Sequence, residues 1–89
     1  MNDASAPETV YVTQLLAALN ADAAKASDRP VAIVSATFEW IKPARDAGDA
    51  VTHVTITRST RTIVFSRGDL KIGDTLVVRA SAVHRVVEG

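Results

Sequence analysis

The feature that most constrains this 89-residue chain is a change of period at Pro30. Ahead of it, Val12, Leu15, Leu16, Leu19, Ala23 and Ala26 recur three and four residues apart, the stripe of an amphipathic helix. Behind it the apolar residues alternate every second position, which is the signature of strands. A lone helix must bury its stripe on something, and the strands are what the chain offers. The expected class is therefore α+β: one long helix packed on an antiparallel sheet of four or five strands, in a single domain over 1–89.

Local signals set the boundaries. Residues 1–5 read as a loose tail. Ser5 can cap the first free N–H groups and Glu8 can reach back to it, with Pro7 tolerated in the first turn. The helix is expected over about 7–25. Ser27-Asp28-Arg29-Pro30 stops it, because the residue before proline is pushed away from helical geometry. Strands are expected at about 31–41, 51–58, 61–70 and 75–87, joined by short links that favour antiparallel hairpins. In the first strand Ala32, Val34, Ala36, Phe38 and Trp40 are expected on the helix, and Val31, Ile33, Ser35, Thr37 and Glu39 on the other side. In the last strand Leu76, Val78, Ala80, Ala82 and Val86 share a face. The second face of the sheet is expected to carry Val31, Ile33, Val64, Val77 and Val83 among its polar residues.

Composition excludes several classes of function. Ten basic residues balance ten acidic ones, which argues against a general nucleic-acid binder. No apolar run reaches the length needed to span a bilayer, and the start, MNDASAPET, lacks an apolar leader core. With no cysteine there is no disulfide, thiolate metal site or Cys nucleophile, and a cytoplasmic protein is expected. His53 and His84 stand on different strands without metal-ligand spacing, so both are expected to be half-exposed strand residues and no metal is expected. Trp40 is expected to anchor a core or an interface. Arg67-Gly68-Asp69 is taken as a chance tripeptide.

The order of elements and one corner carry a resemblance. Phe38-Glu39-Trp40-Ile41-Lys42-Pro43-Ala44-Arg45-Asp46-Ala47-Gly48-Asp49 is similar to the strand-end corner of hotdog-fold proteins of the acyl-CoA thioesterase type. Ile56-Thr57-Arg58-Ser59-Thr60-Arg61-Thr62-Ile63 resembles the family's next hairpin, and Leu76–Val86 its closing strand. The likeness covers about 12–87. It implies a hotdog fold in which a long helix is wrapped by the sheet, assembled as a homodimer or homotetramer. An acyl-CoA or related thioester would bind between subunits, as a substrate rather than a cofactor.

The resemblance also implies a site. The family's helix acid falls nearest Ala21, between Asn20 and Asp22, so Asp22 would be the general base for a hydrolytic water, helped by Asn20 or Gln14. Thr13 and Gln14 would bond the ligand at the interface. Arg58, Ser59 and Arg61 would meet the CoA phosphates, with Lys42 and Arg45 adding to that patch. The chain departs from the family at two places. The strand that usually precedes the helix has no counterpart, which leaves a sheet edge for a partner or the tail to cover. The helix entrance, Tyr11-Val12-Thr13-Gln14, has neither His nor Gly. Glycines there would let backbone N–H groups reach a thioester carbonyl. The alternative is a non-catalytic hotdog, or a cystatin-like α+β module for binding or assembly.

Overall fold

The structure, a computed structural model, describes residues 7–42 and 50–87. The order of elements is α1 (Pro7–Ser27), β1 (Val31–Trp40), β2 (Ala50–Ser59), β3 (Ile63–Ile72) and β4 (Thr75–Val86). The four strands form one antiparallel sheet in the order β1-β4-β3-β2, so β1 and β2 are its edges. The helix lies across one face, mainly over β2 and β3. The Ser5 cap and the corner at 43–49 lie outside the described residues. Among the described residues, no helix is long and apolar enough to cross a membrane.

The helix buries Tyr11, Leu15, Leu19 and Ala23, four positions spaced by four. At 3.6 residues per turn a spacing of four drifts around the cylinder, so the contact stripe winds as the helix crosses the sheet. This corrects the expected stripe. Val12 and Leu16 sit on its flank, half-buried, and Ala26 is exposed because the stripe has rotated away by then. Tyr11, absent from the expected stripe, begins it.

Gly68 on β3 marks a close approach of helix and sheet. A Cβ there would lie 2.9 Å from Leu15 Cδ1 and 2.9 Å from Leu19 Cδ2. The helix ends in a Schellman arrangement: Asp28 N–H donates to Lys25 O and Arg29 N–H to Ala24 O, each at 3.3 Å, with Asp28 left-handed at φ 59°.

Three irregularities interrupt the pairing. The register of β1 slips between Ile33 and Ser35, leaving Val34 unpaired and 64% exposed on the edge. The slip inverts the phase. Before it Val31 packs on the core, and after it Ala36 and Phe38 do. The expected set, with Val34 inward and Val31 outward, therefore fails in the first half of the strand. A second slip, between Ile56 and Arg58, comes just past Val54 and Ile56, which pack on the core. A third, where β3 meets β4 at Leu70 and Lys71, buries the consecutive Val77 and Val78. Val64 and Val77 thus belong to the helix-covered layer and not to the second face. Trp40 remains 39% exposed.

Candidate functional site

Helix α1 carries four of the residues singled out above, and the structure sorts them into two kinds. Gln14 and Asn20 are engaged inward. Gln14 Nε2 donates to Ala50 O at 3.0 Å, which ties the helix to the start of β2. Asn20 Oδ1 lies 3.2 Å from His84 Nδ1. Thr13 and Asp22 are exposed. Around the cylinder Asp22 falls about 80° from Gln14 and about 180° from Thr13. Asp22 and Asn20 therefore do not converge on one atom: the amide is spent on the sheet while the carboxylate faces outward.

Arg58, Ser59 and Arg61 stand exposed at the β2–β3 hairpin. Thr60 shapes that turn, its Oγ1 accepting from Ile63 N–H at 3.1 Å while its own N–H donates to Ile63 O at 2.8 Å. Two arginines stand at its rim, a fit for an anionic group. The hairpin lies at the end of the sheet where Ala23 packs with Val64, Val86 and Ile56. Asp22, next to Ala23 in the chain, is at that same end. Gln14 is at the other end, beside Ala50. The fold thus groups Asn20 and Asp22 with the basic hairpin and sets Gln14 apart. Lys42 is exposed, and Arg45 lies outside the described residues.

Between helix and sheet sits a polar cluster that the sequence reading missed. His84 is fully buried, which corrects the expectation of a half-exposed strand residue. Its Nε2 lies 2.7 Å from the Oγ of buried Ser66, and its Nδ1 faces Asn20. Hydrogen-bond complementarity assigns the ring proton to Nδ1, which donates to Asn20 Oδ1 while Nε2 accepts from the Ser66 hydroxyl. Both ring nitrogens are thereby satisfied without water. Burial pushes the His84 pKa down from its ordinary 6.5, because a charged ring would lose its hydration there. A signal for this was present in the chain. His84 keeps the even-numbered phase of Ala80, Ala82 and Val86, and Ser66 keeps the phase of Val64 and Leu70.

The face of the sheet away from the helix is mixed, with the exposed Val51, Ile63 and Phe65 set among polar rows. Asp69 and Arg79, cross-strand partners, form an ion pair at 3.0 Å, flanked in register by His53 on β2 and Glu39 on β1. The neighbouring row runs Thr55, Arg67, Ser81, Thr37. Two shallow depressions of about 220 and 260 Å³ meet at Thr57 and Arg67. Among the described residues no three His, Cys, Asp or Glu side chains gather as a metal site would require.

No protein-family model matches this chain, and no curated protein does. Solved structures do. A Bacillus halodurans protein crystallised with CoA superposes with a TM-score of 0.81 at 12% identity, over 98% of this chain and 60% of its own. A hypothetical protein of Aquifex aeolicus gives 0.72 at 18% identity, over 97% of this chain and 88% of its own. A candidate thioesterase from Ralstonia eutropha JMP134, described as related to phenylacetic acid degradation, gives 0.65 at 22% identity, over 80% of this chain and 58% of its own. The chain thus spans less than two thirds of the CoA-bound protein and of the candidate thioesterase. With its helix laid on a four-stranded antiparallel sheet, this chain has the hotdog-like fold.

Proposed function

We propose that this protein binds a CoA thioester where two copies of the chain meet. One observation carries the reading: nearly the whole chain follows the fold of a protein crystallised with CoA. The exposed arginines at 58 and 61 add a place for the CoA phosphates, with Ser59 as a further donor. A second copy would cover part of what a single chain leaves open, including the edge of β1 and the half-exposed Trp40 and Ile41. The assembly is a homodimer or homotetramer working in the cytoplasm.

If the bound thioester is hydrolysed, Asp22 is the base. Its carboxylate takes a proton from water as the oxygen attacks the acyl carbon. The C–S bond then breaks, and the CoA thiolate leaves and is protonated. A second reading is binding without turnover. It is favoured by Asn20, whose amide oxygen is committed to His84 and is not turned toward Asp22.

Light scattering and thermal melts with CoA and acetyl-CoA test the binding. A dimer or tetramer that melts higher with ligand, and loses that gain in Arg58→Ala/Arg61→Ala, is the expected result. A monomer indifferent to CoA would refute the reading. Acetyl-CoA hydrolysis then separates the two forms. Turnover that disappears in Asp22→Asn assigns the base, whereas ligand stabilisation without turnover assigns a binding module.

A further inference from the structure

Among the described residues, His84 is the one fully buried side chain that can change charge near neutral pH. It also holds the helix. Its ring joins three elements: Asn20 on α1, Ser66 on β3 and its own strand β4. On the helix, Asn20 lies two residues before Asp22. The bond from Gln14 to Ala50 O ties the helix to the sheet at the opposite end. In register His84 stands opposite Val64 on β3 and Ile33 on β1, with Ala82 and Val86 two residues away on β4, and the buried helix side chain at this end is the small Ala23. Small side chains grip a helix weakly, so at this end the hydrogen bonds carry much of its rotational placement.

We propose that Asn20, His84 and Ser66 form a proton-sensitive clasp that fixes the rotation of α1 on the sheet and so sets the direction in which Asp22 faces. His84 is then a positioning residue acting through Asn20, and its consequence for a ligand rests on the function proposed above. The neutral ring donates to Asn20 and accepts from Ser66. A protonated ring donates from both nitrogens, so the Ser66 hydroxyl must turn its proton away while a charge enters an apolar layer. The ring's two bonds go to an amide and a hydroxyl, neither of which carries a compensating charge. The titratable groups at this end of the molecule are Asp22 and Lys25 on α1, Asp28 and Arg29 just past it, Arg58 on β2, Arg61 in the hairpin, Arg67 on β3 and Arg85 on β4. All of them are exposed, and β1 carries none before the exposed Glu39. Relief comes by loosening the helix end and admitting water.

The test is NMR of the full chain in the absence of ligand, titrated from about pH 8 down through the ordinary histidine range to the onset of acid unfolding; a ring that stays neutral until the whole chain unfolds would also overturn the clasp. The expected result is that the amides of Asn20, Ala21 and Asp22 shift with the same midpoint as the His84 ring. His84→Gln, which keeps two hydrogen-bonding atoms and cannot titrate, should abolish that response, and His53→Gln should retain it. Helix amides that stay still while the His84 ring titrates would overturn the clasp, as would an unchanged response in His84→Gln. If His84→Gln does not fold, the coincidence or separation of ring and amide midpoints in the natural chain decides alone. In acetyl-CoA hydrolysis, kcat should fall on the acid side with that midpoint while KM holds. A chain with no turnover would defeat the hydrolytic reading, and the amide response would still judge the clasp.

Discussion

The two ends of the helix are held by different means. Toward its start, Tyr11, Leu15 and Leu19 press on Leu70, Val77 and Val78, large side chains that seal one another from water. Toward its end, Ala23 meets Val64 and Val86, with Val31 and Ile56 at the rim. The cross-strand register places Ser66 and His84 between the two clusters. Where the side chains are large, packing fixes the helix, joined by the bond from Gln14 to Ala50 O. Where they are small, the layer takes in a polar cluster. The candidate acid Asp22 and the basic hairpin lie at the weakly packed end. Regions that respond to ligands are drawn from the less stable parts of a fold, and this division fits that rule.

The sharpest way to break the comparison is to empty each cluster in turn. Leu19→Ala should cost about 2–5 kcal/mol, since the side chain is fully enclosed and its removal leaves a cavity. Ala23→Gly removes one methyl and some helix propensity, so about 1 kcal/mol is expected. Chemical denaturation of both variants measures the difference. Equal losses would show that the two ends are not packed differently.

Gly68→Ala probes the tight end from the sheet. The new methyl would meet Leu15 Cδ1 and Leu19 Cδ2 at 2.9 Å, and both leucines are fully buried. Overpacking of this kind costs about 1–3 kcal/mol. Combined with Leu19→Ala the loss should be less than additive, because the shortened side chain vacates the space the methyl needs. Full additivity in the denaturation midpoints would place the clash elsewhere.

At the other end, Ser66→Ala leaves the His84 acceptor buried without a donor, a loss of about 1–3 kcal/mol. The sign of the pH dependence follows from the lowered pKa of His84. The unfolded chain takes up its proton near pH 6.5 and the folded chain only below that. Stability is therefore fully present above about pH 6.5 and is lost as the pH falls toward the folded value. Thermal melts across that window should show the decline, and His84→Gln should flatten it. A slope unchanged in that variant would assign the dependence to other groups.

Much of the fold is legible in the chain because two periods do not overlap. The helix stripe and the alternating runs give the order of elements, and Pro30 separates them. What stays hidden comes from small offsets. A single unpaired residue, Val34, inverts half of β1, and nothing about a valine in an apolar run announces that it will be skipped. Mixed spacings of three and four describe an idealised helix stripe, whereas the real contact follows strict steps of four. Residue type alone makes His84 a polar residue of an exposed face, although its position in β4 puts it in phase with buried alanines. The residues of the candidate site are visible one at a time. That Asn20 turns inward and Asp22 outward depends on a partner 64 positions along the chain, which no local pattern encodes.

The smallest expected effect lies where the loosely packed end of the helix stops. Asp28 holds a left-handed backbone at φ 59°, the conformation that the Schellman closure over Lys25 and Ala24 requires. An L side chain there crowds the following carbonyl, and glycine does not. Its carboxylate also faces the negative end of the helix dipole. Both effects have the same sign, so Asp28→Gly should stabilise the protein by about 1 kcal/mol. Asp28→Asn separates them, since it removes the charge while keeping a side chain that tolerates this conformation. A gain in Asp28→Asn as large as in Asp28→Gly would mean that charge dominates and the backbone is not strained. A gain confined to the glycine variant would locate the cost in the backbone. In either case the gain should appear at the end of α1 that packing holds least, in amide exchange of Ala24 and Lys25 before it appears in Leu15 or Leu19.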